Sequence, residues 1–108
     1  MKMNVYSIFD TKALQYHLPF FQPADGAAVR MLMDLVNDPN TTVGRHPSDF
    51  VLFHVGYYDD TLGDIQPCAP LRHVIDAVAL VRIQPSLFPE DSSLQPERSP
   101  LMSNGEAK

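Results

Sequence analysis

The chain has 108 residues, 44% of them apolar and 19% charged, with a formal net charge of −5. That length fits one domain, and the composition is that of a globular protein rather than a fibrous or wholly disordered one. Residues 1–85 carry six basic against nine acidic side chains, a balance of −3, which speaks against a basic stripe that clamps duplex phosphates.

Met3 to Phe9 is rich in β-branched and aromatic residues and predicts a strand. Asp10 to His17 is a polar connection. Leu18-Pro19-Phe20-Phe21-Gln22-Pro23 reads as an extended loop, because two prolines exclude a helix interior or a central strand. Asp25 fits an N-cap, and Ala27, Ala28, Met31, Leu32, Leu35 and Val36 follow at helical spacing, predicting a helix over 26–37. Pro39 ends it. Residues 40–49 read as loop. Phe50 to Tyr58 is the strongest strand, Asp59 to Asp64 a hairpin loop with Gly63 at positive φ, and Ile65 to Cys68 the return strand. Residues 70–83 fit either a helix or a strand; a short helix running into an extended segment is the expectation. From Pro85 onward proline, serine, glutamate and glycine replace the periodic pattern, a signature of disorder. The fold class expected is α+β: a small antiparallel sheet of three to four strands with one main helix packed on it over residues 1–85, and a disordered tail over 86–108. A domain this small has a thin core, which favours self-association into a homo-oligomer.

No catalytic constellation stands out, and the expectation is a non-enzyme without cofactor or metal. His17, His46, His54 and His73 match no zinc spacing, and His54 reads as a face residue of a strand. Asp59, Asp60 and Asp64 lack the ligand pattern of a calcium loop and suit a hairpin turn. Cys68 is the one cysteine, so no intrachain disulfide forms. A lone buried thiol is expected, with a Cys68–His73 pair as the reactive alternative. The longest apolar run, Ala77 to Val81, is far below the ~20 residues of a membrane span. With no leader pattern at the start, a reducing cytosol is the expected compartment.

Nine aromatic residues fall within the first 85, more than a core of this size needs. Exposed tyrosines flanked by cations form a stacking surface for single-stranded nucleic acid, and the candidates are Lys2, Lys12, Arg30, Arg45, Tyr57 and Tyr58. On composition alone the surplus fits a subunit interface better, with Leu18, Phe20 and Phe21 as the candidate contact. Cations sharing a face with an exposed tyrosine favour DNA; an apolar face without cations favours a protein partner.

Three stretches carry a resemblance. They are Asp10-Thr11-Lys12-Ala13 with Tyr16 and Pro19-Phe20-Phe21; Asp25-Gly26-Ala27-Ala28-Val29-Arg30 with Asn37-Asp38-Pro39; and His46-Pro47-Ser48-Asp49-Phe50-Val51-Leu52-Phe53 with Gly56, Asp59-Asp60 and Gly63. In order and spacing the chain resembles, over about residues 3–80, the small nonstructural protein of gokushoviruses, single-stranded DNA phages of the Microviridae. The resemblance implies a DNA-binding protein of the host bacterial cytoplasm that acts at the switch from duplex replication to single-strand synthesis and packaging. It makes single-stranded DNA the leading partner. An adaptor contacting phage replication or capsid proteins is the alternative. The composition shift at Pro85 yields the first prediction: deletion of residues 86–108 leaves the thermal unfolding midpoint nearly unchanged, whereas a fall of several degrees shows that the tail docks on the domain.

Overall fold

The computed structural model describes residues 1–82. The expected tail at 86–108 and the domain boundary before it lie outside the described residues. Five strands form one antiparallel sheet: β1 (Lys2–Asp10), β2 (Gln15–Tyr16), β3 (Phe20–Gln22), β4 (Phe50–Asp59) and β5 (Asp64–Asp76). The order is β2-β1-β4-β5, and β3 pairs with the same edge of β1 further toward its start. The main helix α1 (Asp25–Val36), the single turn α2 (Thr42–Arg45) and 3-10 turns at Pro47–Asp49 and Ala77–Leu80 complete the chain. The α+β class and the one main helix agree with the sequence reading.

Strand alternation sets the layering. Tyr6 and Ile8 on β1, with Phe50, Leu52 and His54 on β4, are buried on one side of the sheet. There they meet Ala28, Leu32 and Val36, which lie at i, i+4 and i+8 of α1 and form its buried stripe. Val43 and Ala77 close the ends of this core. Among the described residues, the opposite side of the sheet carries no helix.

Four local readings change. Asp10 to His17 is not all connection, because Phe9 and Asp10 pair with Tyr16 and Gln15. Phe20–Gln22 is a short edge strand rather than a loop, since edge positions tolerate the flanking Pro19 and Pro23. The 40–49 loop holds α2, whose Thr41 hydroxyl accepts the Gly44 N–H at 2.9 Å. Residues 70–76 continue β5 instead of starting a helix: Ile75 pairs with Leu52 and Asp76 with Val51, so sheet pairing overrides a weak helical period. After the turn at Ala77–Leu80, Asn37 ties this end down, donating to Leu80 O at 3.0 Å and accepting the Arg82 N–H at 2.9 Å.

The sheet is bent by two irregularities at one level. Tyr6 pairs with His54 and Val5 with Gly56, so Val55 is extra in β4. On the other side His54 pairs with Arg72 and Gly56 with Pro67, so residues 68–71 of β5 loop out. Gly56 permits this, because a Cβ there would lie 2.6 Å from the Gln66 carbonyl oxygen. Gly63 has φ 68° in the β4–β5 turn, as its sequence position suggested. Asp59 shapes that turn by accepting the N–H groups of Thr61 and Leu62 at 2.9 and 3.3 Å, which is the turn role read for the acidic cluster. The fully buried Leu32 joins helix to sheet, so Leu32→Ala is expected to cost about 3 kcal/mol in urea unfolding, a large share of the stability of so small a domain.

Candidate binding face

The structure separates the six residues read as a nucleic-acid surface. Tyr57 pairs with Asn4 and Tyr58 with Met3, so the two tyrosines point to opposite sides of the sheet. Tyr57 turns to the helix side, its ring 4.8 Å from that of His54. Tyr58 lies on the bare side, 5.6 Å from the ring of Phe21. Lys2 begins β1 opposite Asp59, and Lys12 lies in the turn after β1, roughly 30 Å away at 3.3 Å per residue. Arg30 is exposed on α1, and Arg45 ends α2, where it donates to Pro39 O at 3.4 Å. Both belong to the helical layer, and Lys2, two residues before Asn4 on β1, alternates to that side with Tyr57, whereas Lys12 stands apart in its turn.

Leu18, Phe20 and Phe21 also divide. Phe20 packs on the protein's own core with its ring 6.0 Å from that of Tyr6, which removes it from the candidate contact. Leu18 is exposed and Phe21 is 42% exposed on the bare side.

The bare side assembles a group that sequence reading did not single out. Phe9 and Tyr16 are cross-strand partners with ring centroids 4.5 Å apart. Phe53 meets both, edge-on, at 6.3 and 5.8 Å. His73, the partner of Phe53 on β5, stands edge-on to it at 5.9 Å. Four rings thus cross the sheet from edge to edge on β2, β1, β4 and β5, with Tyr16 and His73 at the exposed margins. His73 Nε2 lies 2.8 Å from Asp76 Oδ1, so this imidazole pairs with a carboxylate and not with Cys68, which is half-buried and free. Lys12 is the nearest of the four candidate cations in the chain, because its turn joins the strands that carry Phe9 and Tyr16. Asp10 shapes this turn by accepting the N–H groups of Lys12 and Ala13 at 2.9 and 3.1 Å.

Beneath this face a polar group binds the helix to the sheet. Asp25 is the first residue of α1 and not its N-cap, which is Ala24 without a side-chain bond. Its Oδ1 instead accepts the Tyr6 hydroxyl at 2.6 Å and the Arg72 Nη2 at 2.8 Å. The same guanidinium lies against Nδ1 of His54, at 3.0 Å from Nη2 and 3.3 Å from Nε. A cation donating to Nδ1 places the imidazole proton on Nε2, an atom that is buried without a partner. Hydrogen bonds from Arg72 and then Tyr6 hold Asp25 down at about 2. Burial, then the bond to Asp25, pushes Tyr6 up to about 12. Burial and the Arg72 cation keep His54 below its ordinary value. An imidazole closed off from solvent and set against a cation is poorly placed to take up a proton, so this quartet reads as a latch. A shallow pocket of about 350 Å³ lies elsewhere, lined by Val36, Asn37, Pro39, Gly44 and Arg82. Among the described residues no helix is long and apolar enough to cross a membrane.

A five-stranded antiparallel sheet, covered by helix on one side and bearing a band of aromatic rings on the other, defines the class of this protein. The chain belongs to the Phage ORF5 protein family, whose model matches residues 3–80. It is 35% identical over 71 residues to Protein ORF5 of Chlamydia phage 1, covering 62% of this chain and 74% of that one. It is thus a phage protein, in agreement with the gokushovirus resemblance. No solved structure matches it.

The latch sets a pH dependence whose signs differ by residue. His54 has a lowered folded pKa, so its contribution is full above the ordinary 6.5 and is lost as pH falls below it. Asp25 acts likewise lower down, full above 3.8 and lost as pH falls toward about 2. Tyr6, raised from 10.0 to about 12, contributes below pH 10.0 and loses this as pH rises toward 12. Chemical unfolding across pH is therefore expected to show a plateau from about 6.5 to 10. In His54→Gln, which keeps an acceptor for Arg72 without titrating, the limb just below neutrality flattens. An unchanged acid limb in that variant shows that His54 does not titrate with folding.

Proposed function

We propose that this phage protein works by binding rather than by catalysis, and that it binds single-stranded DNA on the bare face of its sheet. The observation that carries the reading is the unbroken band of Phe9, Tyr16, Phe53 and His73 across four strands, on the side that no helix among the described residues covers. Unpaired bases expose aromatic faces of their own, and stacking on such a platform is tolerant of sequence and worth about 1–3 kcal/mol per base. Duplex DNA hides those faces and offers mainly phosphates, which the acidic balance of this chain does not attract. In the life of the phage this reading puts the protein with the newly made single strand, in genome replication or packaging in the host cytoplasm.

A second reading, an adaptor for phage replication or capsid proteins, is favoured by one feature of the same face. Met3 and Phe9 of β1 face this way half-buried, with Val51, Phe53 and Tyr58 of β4, while Val5 and Ser7 on the same side are buried. Among these described positions none is cationic, and an apolar, aromatic patch also suits a protein partner.

A fluorescence titration with a long single-stranded oligonucleotide at two salt concentrations separates the readings. Stacking with one nearby cation, Lys12, predicts a log–log salt slope near about −0.7, far shallower than for a protein held by phosphates. Tyr16→Ala is expected to weaken binding about tenfold or more, because it removes one exposed stacking ring, while unfolding changes little. Arg45→Gln, on the helical layer, is expected to leave binding unchanged. Absence of binding at low salt and high micromolar protein removes the DNA reading and leaves the adaptor.

A further inference from the structure

The two edges of the sheet are treated differently. The outer edge of β1 is occupied at both ends, by β2 and by β3. The outer edge of β5 is paired by no strand among the described residues. Its first half is guarded, since Pro67 and Pro70 cannot donate and residues 68–71 loop out of register. Its second half, Arg72–Asp76, has neither proline nor lysine, and the guanidinium of Arg72 is turned back onto Asp25 and His54. A free run of backbone donors and acceptors of this kind is a template for another strand.

The side chains of this run indicate which strand. His73 is opposite Phe53 and Asp76 opposite Val51, so both stand on the bare face of the sheet, side chains half-exposed and 2.8 Å apart. A register shift between them, where Leu52 pairs with Ile75 and Val74 is extra, brings these two positions to one face. Run against itself in antiparallel sense, the segment can set His73 of each copy opposite Asp76 of the other, with Val74 opposite Ile75. The patch is then its own complement in charge, which a two-fold interface requires. Exposed Leu71 and Val78 flank it.

We propose that Arg72–Asp76 is a dimerisation edge, pairing antiparallel with the same segment of a second copy. The two-fold axis runs perpendicular to the sheet, so the two sheets become continuous and both aromatic bands lie on one face. This contact differs from the Leu18–Phe21 segment suggested by sequence, and it does not depend on what the aromatic face binds.

Sedimentation velocity on the full chain at micromolar concentration tests it, with variants that change the charge of one partner. His73→Asp sets two carboxylates opposite each other, and Asp76→Lys sets a cation opposite the imidazole. The wild type is expected to sediment as a dimer. Each variant alone is expected to dimerise about tenfold more weakly, from the loss of two cross-strand pairs at roughly 0.7 kcal/mol each. An equimolar mixture of the two restores a dimer, now a mixed one, because the carboxylate introduced at position 73 of one chain meets the ammonium introduced at position 76 of the other. An intrachain role for the His73–Asp76 pair gives no such rescue on mixing. A monomeric wild type, variants that dimerise as tightly as wild type, or a mixture no tighter than its components each overturns the proposal. The wild-type measurement decides even where a variant fails to fold.

Discussion

The Arg72 guanidinium sits between a carboxylate at the start of α1 and an imidazole buried in β4. Its bonds to Asp25 and His54, with the Tyr6 hydroxyl on the same carboxylate, join β1, β4, β5 and the helix at one point. The extra Val55 and the looped 68–71 both fall beside this point. A cation placed there needs its neighbours in fixed protonation states, and the low Asp25 and neutral His54 supply them. An exposed pair of this sort contributes little in isolation. Here its value is geometric: it ties the start of α1 to the side of the sheet that strand alternation has made apolar.

Covering one side leaves the other. Among the described residues, the main helix of twelve residues buries a single face of the five-stranded sheet. The aromatic residues that alternate away from the helix must then pack on each other or on a partner. They do the former in part, as the edge-on contacts of Phe53 with Phe9, Tyr16 and His73 show. The margins of the band stay open. The proposed stacking of single-stranded bases uses the face of this sheet and the proposed association of copies its β5 edge, and the two meet at His73. A dimer of the proposed kind would raise the effective concentration of the second band for a strand held by the first.

The elements legible in the sequence are those whose signal is local. Met3–Phe9 and Phe50–Tyr58 announce strands by composition, and Ala28, Leu32 and Val36 announce the buried stripe of α1 by spacing. Gly63 marks its turn. Where the local signal was weak or shared, long-range pairing decided. Residues 70–76 fit a helical period, yet the hydrogen-bonding edge of β4 takes them as strand. Asp25 fits an N-cap, yet a guanidinium from 47 residues away claims its oxygen.

The candidate site divides along the same line. The sequence alone determined that aromatic residues are in surplus and that cations are few, because composition needs no fold. Strand period also determined that neighbours such as Tyr57 and Tyr58 face apart. Only the tertiary structure decided which rings come together. Phe9, Tyr16, Phe53 and His73 lie on four strands, and their meeting depends on the registers of three strand pairs. A one-residue slip in any of these turns a ring to the other side, and those registers follow from the buried core on the opposite face rather than from the rings themselves.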